Sequence, residues 1–296
     1  MEVESIRIKL PLNDPEYVYV YLLNSEVLID AGFCSKDSAE ELYENTKVDK
    51  VLLTHHHMDH TGLLFFKEVE AYLHPIEKEL LGLYQSPEKF VKIYERISTL
   101  YDFPEYYVRS FSLISSFRLD IKARLNVFGE NVFGLEVIHT PGHTPGHVCF
   151  YRDKVLFGGD MVLSNTTTHI GYYPHYSGNP VGDHVGSLIK LSKLEIDVIY
   201  PAHEKPIKNP EKRIHDLLEH YLERANEVYS LLSTEPKKVV EIAKSIKWST
   251  GDFEDLDYFN RMLALHETVA YLTYLKEQKK AKEVVVGGIV HFKKVS

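Results

Sequence analysis

The first thirty residues carry strand patterns. Ile6-Arg7-Ile8-Lys9-Leu10 switches between apolar and charged positions, Tyr17 to Leu23 is aromatic and aliphatic throughout, and Val27-Leu28-Ile29-Asp30 stops at Ala31-Gly32. A period of two with β-branched and aromatic residues predicts strands, here the start of an antiparallel sheet. Ser35 to Asn45 has helical composition behind a serine cap, and the apolar run Val51 to Thr54 predicts the strand that delivers Thr54-His55-His56-His57-Met58-Asp59-His60. Beyond it a helix is expected from about Gly62, then a short strand at Ala71 to His74.

From Pro75 to about Arg124 the short-strand rhythm gives way to long helical segments carrying Tyr84, Phe90, Tyr94, Tyr101, Phe103, Tyr106, Tyr107, Phe111 and Phe117. This reads as a helical insertion between core strands. Its aromatics either line or cover a substrate pocket or form the insertion's own core. Strands resume at Leu135 to His139, His147 to Tyr151 and Lys154 to Phe157, the last ahead of Gly158-Gly159-Asp160. A polar and aromatic loop from Leu163 to Pro180 follows, containing His169, Tyr172, Tyr173, His175 and Tyr176, of which His169, Tyr172, Tyr173 and His175 are candidate substrate contacts. Asp183 to Lys193 reads as a helix and Val198 to Tyr200 as a strand ending at Pro201-Ala202-His203. Asn209-Pro210 is a cap and first-turn proline for a helix to about Leu232.

The last sixty residues have another pattern: a short helix at Val239 to Ile246, a longer one at Leu256 to Lys276, and a hairpin from Val284 to Phe292 with Gly287-Gly288 at its turn. Helix, helix and β-wing resemble a winged helix, so a boundary is expected near residue 232, with a catalytic domain over 1–232 and a small winged-helix-like domain over 233–296.

Composition narrows the reading. With 296 residues, 44% hydrophobic and 26% charged, the chain has the balance of a soluble globular protein, and no apolar run approaches the ~20 residues of a membrane span. The start MEVESIRIKL lacks a signal sequence, so a cytoplasmic location is the expectation. The formal charge is −9. From Leu232 onward eleven Lys/Arg face nine Asp/Glu, so the tail is near +2 and the rest near −11. The overall charge argues against nucleic-acid binding by the whole surface. Cys34 and Cys149 have no metal-site spacing and read as inert buried thiols.

The chemistry concentrates in residues 54–60. In an extended segment His55, His57 and Asp59 share one direction, while His56 and Met58 point the other way; His60 joins the cluster only if the chain turns after Asp59. One loop can then serve two adjacent centres. Imidazole with carboxylate is the donor set of zinc, iron or manganese. The alternative is a polar surface loop with accidental histidines. Further donors stand at loop and strand ends: His143 in His139-Thr140-Pro141-Gly142-His143-Thr144-Pro145-Gly146-His147, then Asp160 and His203.

HxHxDH followed by His, Asp and His at these places resembles the metallo-β-lactamase superfamily over roughly residues 1–232. The resemblance implies a four-layer αββα sandwich, here with a helical insertion at about 75–124. It implies two metal ions, zinc with iron or manganese as alternatives: His55, His57 and His143 on the first, Asp59, His60 and His203 on the second, and Asp160 bridging. It also implies hydrolysis by a metal-bridging hydroxide without a covalent enzyme intermediate, Asp59 orienting the nucleophile. His139 and His147 are expected to support the site rather than ligate, and His56 to face away. Ala202 and Glu204 stand where relatives often carry glycine, which puts the shape of that loop in question.

Three functions compete. The first is hydrolysis of a small carboxylic ester, thioester or lactone, as in glyoxalase II-like enzymes and lactonases. The second is cleavage of single-stranded RNA, since a long helix after His203 and a winged-helix-like tail resemble lactamase-like endoribonucleases and the lysines of 276–294 could meet phosphates. The third is an iron-dependent persulfide dioxygenase. The tail is compatible with all three as a module for forming a homodimer. A small-molecule substrate is the leading expectation.

Overall fold

A computed structural model describes residues 1–11, 15–114, 119–173, 178–249 and 251–295; Phe117, His175 and Tyr176 lie outside them. Three sheets are present. The first runs in chain order: β1 (Val3–Lys9), β2 (Tyr17–Leu23), β3 (Val27–Ile29), β4 (Lys50–Leu52), β5 (Glu70–Leu73) and β6 (Arg124–Val127). Its first three strands pair antiparallel and its last four pair parallel. The second contains β7 (Asn131–Val132), β8 (Leu135–His139), β9 (Val148–Arg152), β10 (Val155–Gly159) and β11 (Val198–Pro201), in the spatial order β11-β10-β9-β8-β7. The third joins β12 (Lys237–Lys238), β13 (Ala281–Val286) and β14 (Ile289–Lys294), with β14 central.

The helices are α1 (Lys36–Thr46), α2 (Leu63–Phe66), α3 (Pro75–Gly82), α4 (Pro87–Tyr101), α5 (Glu105–Ile114), α6 (Pro180–Leu191), α7 (Pro210–Leu231), α8 (Val239–Ala243) and α9 (Tyr258–Glu277). Ser35 caps α1 by accepting the Ser38 N–H, and the Asn209 side chain accepts the Lys212 N–H at the start of α7. Strands β6 and β7 were not expected. Each is short and exposed on one or both faces, so neither carries a clear apolar alternation. The helix expected from Gly62 is a single turn.

Contacts divide the chain into two compact units that interleave along the sequence. One comprises Met1–Gln85, Leu119–Thr168 and Gly186–Leu217; the other comprises Ser86–Arg118, His169–Val185 and Leu218–Ser296. This partition cuts across the expected boundary at 232, because the insertion and the C-terminal helices share one core.

In the first unit β2 shows how the layers arise. Val18, Val20 and Leu22 pack in a cluster with Ala39, Leu42, Leu63, Leu64 and Leu81 from α1, α2 and α3. Tyr21 and Leu23, on the opposite face, pack with Leu135, Val148, Phe150 and Phe157 of the second sheet. A strand buried on both faces is apolar throughout, which is why Tyr17 to Leu23 reads as a continuous run. On β9 and β10 the parity reverses: Cys149 and Leu156 point away from the sheet interface yet are fully buried, as are Leu188, Leu191, Ile214 and Leu217 of the fourth layer. Helix, sheet, sheet, helix is the αββα order.

In the second unit the insertion's aromatics pack on one another. Tyr107 packs near Phe103 and Tyr94, and its hydroxyl bonds the Nε2 of His266 on α9. Tyr101 packs against Phe103 and Tyr172. These rings therefore serve as the unit's own core. The C-terminal hairpin turns at Gly287 and Gly288, with φ of 58° and 84°, between the paired Val286 and Ile289.

Burial pushes the His266 imidazole down to about 3. The folded chain then binds fewer protons than the unfolded chain between about pH 6.5 and 3, so this group's stabilisation is complete above about pH 6.5 and falls as pH is lowered. Urea unfolding at pH 7 and pH 5 is expected to show a loss of about 1.4 kcal/mol per pH unit below that point from this group. His266→Gln is expected to lack that component.

Candidate metal centre

Every donor singled out in the sequence lies at a strand end or in a loop leaving one. β4 delivers His55 and His57, the turn at His57–His60 brings Asp59 and His60 round, and the β8–β9 loop carries His143. Asp160 follows β10 and His203 follows β11, two parallel neighbours whose carboxyl ends lie side by side. The expected turn after Asp59 is closed by the His60 N–H and the Thr61 hydroxyl, which both bond the His57 carbonyl at 3.0 Å.

The side chains form two adjoining groups: His55, His57, His143 and Asp160, and Asp59, His60 and His203. In the first, His55 Nε2, His57 Nδ1 and His143 Nε2 stand 3.1, 3.2 and 3.0 Å apart. Metal–nitrogen bonds of about 2.0–2.1 Å in a tetrahedral site give edges of about 3.3 Å. The three nitrogens thus nearly trace one face of such a site. In the second group His203 Nε2 and His60 Nε2 lie 3.3 and 3.6 Å from Asp59 Oδ2. Asp160 spans both: its Oδ2 is 3.4 Å from His143, and its Oδ1 is 3.5 Å from both His60 and His203.

Burial and charge agree with this. The Nε2 of His60 and the Oδ1 of Asp160 are buried without a hydrogen-bond partner, and a buried polar atom left so is costly unless a cation completes it. Burial drives His55 and His57 well below the ordinary histidine range, reinforced by neighbouring histidines, which keeps both rings in the neutral form that coordinates a cation. For Asp59 burial opposes ionisation, but His60 and His203 overcome it and hold the carboxyl well below its usual range. The residues present fit a pair of divalent cations.

The far nitrogens of His55, His60, His143 and His203 are held in place, a support that fixes tautomer and orientation. Buried Asp30 accepts the Thr54 N–H at 2.8 Å, the Thr54 hydroxyl, and His60 Nδ1 at 2.9 Å. Thr54 Oγ1 meets His55 Nδ1 at 3.0 Å. His203 Nδ1 donates to the Tyr17 carbonyl at 2.8 Å, and His143 Nδ1 lies 3.3 Å from the Thr168 hydroxyl. None of these supports was identified in the sequence. Asp30 carried a signal, ending a strand just before Ala-Gly as Asp160 follows Gly-Gly.

His147 and His139 are set apart from both groups. His147 Nε2 accepts the Asp160 N–H at 3.2 Å and its Nδ1 meets Thr140 at 3.0 Å, so it positions Asp160. His139 stacks on His74 and donates to the Pro145 carbonyl. His56 turns away from the donors, into buried protein. At Gly159 a Cβ would meet His147 Nε2 and Thr54 at 2.7 and 2.8 Å, so only glycine fits beside Asp160. Glu204, at φ 69°, offsets its strain by accepting bonds from Ser164, Asn165 and Thr166, which tethers the loop after Asp160. His169 bonds Glu267 and Tyr172 packs on Tyr101, both in the second unit.

The sequence profile of the metallo-beta-lactamase superfamily matches residues 13–203. The chain belongs to that superfamily, whose members bind divalent metals. Among its relatives, "Probable metallo-hydrolase YqjP" of Bacillus subtilis (strain 168) is 27% identical, over 99% of this chain and 98% of that one. The hydroxyacylglutathione hydrolase of Aeromonas hydrophila is 30% identical over 64% of this chain and 63% of its own length. The crystal structure of a metallo-beta-lactamase family protein from Thermus thermophilus superposes with a TM-score of 0.79 at 26% identity, covering 99% and 98% of the two chains. Among the described residues no helix is long and apolar enough to cross a membrane.

Asp30→Asn leaves His60 Nδ1 and Thr54 facing an amide in place of a carboxylate. Its expected effect is a loss of about 10- to 100-fold in metal affinity, read by competition with a chromogenic chelator.

Proposed function

We propose that the chain is a dinuclear metal-dependent hydrolase, with zinc the leading metal and iron or manganese as alternatives, acting on a small carboxylic ester, thioester or lactone. The observation that carries this is the convergence of seven donors in two groups that share Asp160. When bound, divalent cations supply Lewis acidity towards a water and a carbonyl oxygen. His55, His57 and His143 would hold one, Asp59, His60 and His203 the other, with Asp160 between them.

The chain's own residues do the rest. Asp59 keeps 26% of its side chain exposed, against 10% for Asp160 and 6% or less for His55, His60, His143 and His203. Of the two carboxylate donors it is therefore the one better placed to meet both water and substrate. Its ionised carboxylate can accept a proton from an attacking water and pass it to a departing thiolate or alkoxide. Because the nucleophile is water and not a side chain, no covalent bond to the enzyme forms.

The substrate class draws support from two directions. Two relatives named hydroxyacylglutathione hydrolase are 30% and 29% identical over 64% of this chain. The charge of the chain outside its tail, near −11, opposes a polyanion more than a small acyl compound.

Asp59→Asn should keep the fold and lower turnover of an S-acyl thioester by about 10²–10⁴-fold, the usual worth of a positioned proton-transfer group. Thioester, lactone and single-stranded RNA would be assayed side by side with wild type and variant. RNA cleavage that depends on Asp59, with no thioester or lactone turnover, would move the assignment to a nuclease. Oxygen consumption with one bound iron and no hydrolysis would move it to a dioxygenase.

A further inference from the structure

Glu77 is a carboxylate with no exposure at all, in the first turn of α3, and no step above uses it. Both of its oxygens are committed. Oε2 accepts the backbone N–H of His56 at 2.8 Å and His56 Nδ1 at 2.6 Å. Oε1 accepts the Thr144 hydroxyl at 2.7 Å and the Gly146 N–H at 2.8 Å. One oxygen therefore serves the loop that carries His55 and His57, and the other serves the loop that carries His143.

The two loops are far apart in sequence, and their three imidazole nitrogens must stand about 3 Å from one another. His56 lies between two of the donors and Thr144 follows the third. We infer that Glu77 is a positioning residue: a strap between two loops that sets the spacing of His55, His57 and His143 and thereby the affinity of that group for its metal ion. This rests on the dinuclear reading above.

The surroundings are built for the strap. His74 ends the turn before α3 and accepts the Ile76 N–H, and Pro75 opens the helix, so the β5–α3 junction aims Glu77 at the sheet edge where the donors emerge. A carboxylate in a first turn also gains from the helix dipole. At Gly146 a Cβ would stand 2.7 Å from Glu77 Oε1 and 2.7 Å from His74 Nδ1, so only glycine allows the second loop to come this close. Burial opposes the charge, yet His56, Thr144 and Gly146 together hold the carboxyl below its usual range. An ionised carboxylate accepts all four bonds; an amide has a single acceptor oxygen and must turn its NH₂ towards one of the two loops.

The test is stepwise Co²⁺ binding to the metal-stripped full chain, followed by visible absorption and by chelator competition, for wild type, Glu77→Gln and Thr144→Val. Thermal unfolding of the metal-free proteins is measured in parallel. Wild type should take up two ions. Glu77→Gln should weaken one of the two steps by about 10- to 100-fold, with an altered absorption band for that ion and the other step unchanged. Thr144→Val, which removes one bond and keeps the charge, should weaken the same step by less, and it carries the test if Glu77→Gln does not fold. Two steps unchanged, or both weakened alike, in a folded variant would overturn the inference. A wild-type chain that binds fewer than two ions overturns the dinuclear reading itself.

Discussion

Three imidazole nitrogens held about 3 Å apart, lone pairs inward, repel one another and have given up water. Nothing in the folding of the separate strands favours that arrangement; it persists because the surrounding structure enforces it. The rings of His55, His60, His143 and His203 are tied on their far sides, to Thr54, Asp30, Thr168 and the Tyr17 carbonyl, and the loops themselves are tied at Glu77 and Glu204. Such a constellation is a preorganised cation site, because the cost of assembling it falls on folding instead of on binding. The four layers exist, in this view, to bring the strand ends and loops that carry the donors to one edge.

The support is ionic at its core. Asp30, Glu77 and Asp160 are buried carboxylates, each accepting or facing several donors. A buried charge with one partner removed is far more costly than an exposed one. Metal affinity and fold stability are therefore coupled through these three residues, and a substitution at any of them acts on both.

The donors were legible in the sequence and their supports were not, for a physical reason. Histidine and carboxylate are donor types that show in the chain, and here they stand at turns, so HxHxDH and the Pro-Gly pairs around His143 mark them. Asp30 and Glu77 act by hydrogen bonds across 24 and 21 residues; Asp30 is marked only by its strand end before Ala-Gly, and Glu77 looks like any carboxylate at a helix start. Most strands were likewise legible, since β2 is buried on both faces and its apolar run is continuous. The short edge strands β6 and β7 bury too little to leave a pattern. The division into two units was hidden because Tyr107 and His266 meet across 159 residues, and no local composition reports that their segments share a core.

Anomalous scattering from crystals of metal-loaded protein shows whether the seven donors hold two ions. Two peaks about 3.5–4 Å apart, one against His55, His57 and His143, the other against Asp59, His60 and His203, with Asp160 touching both, is the predicted result. A single peak, or two that share no ligand, would contradict it.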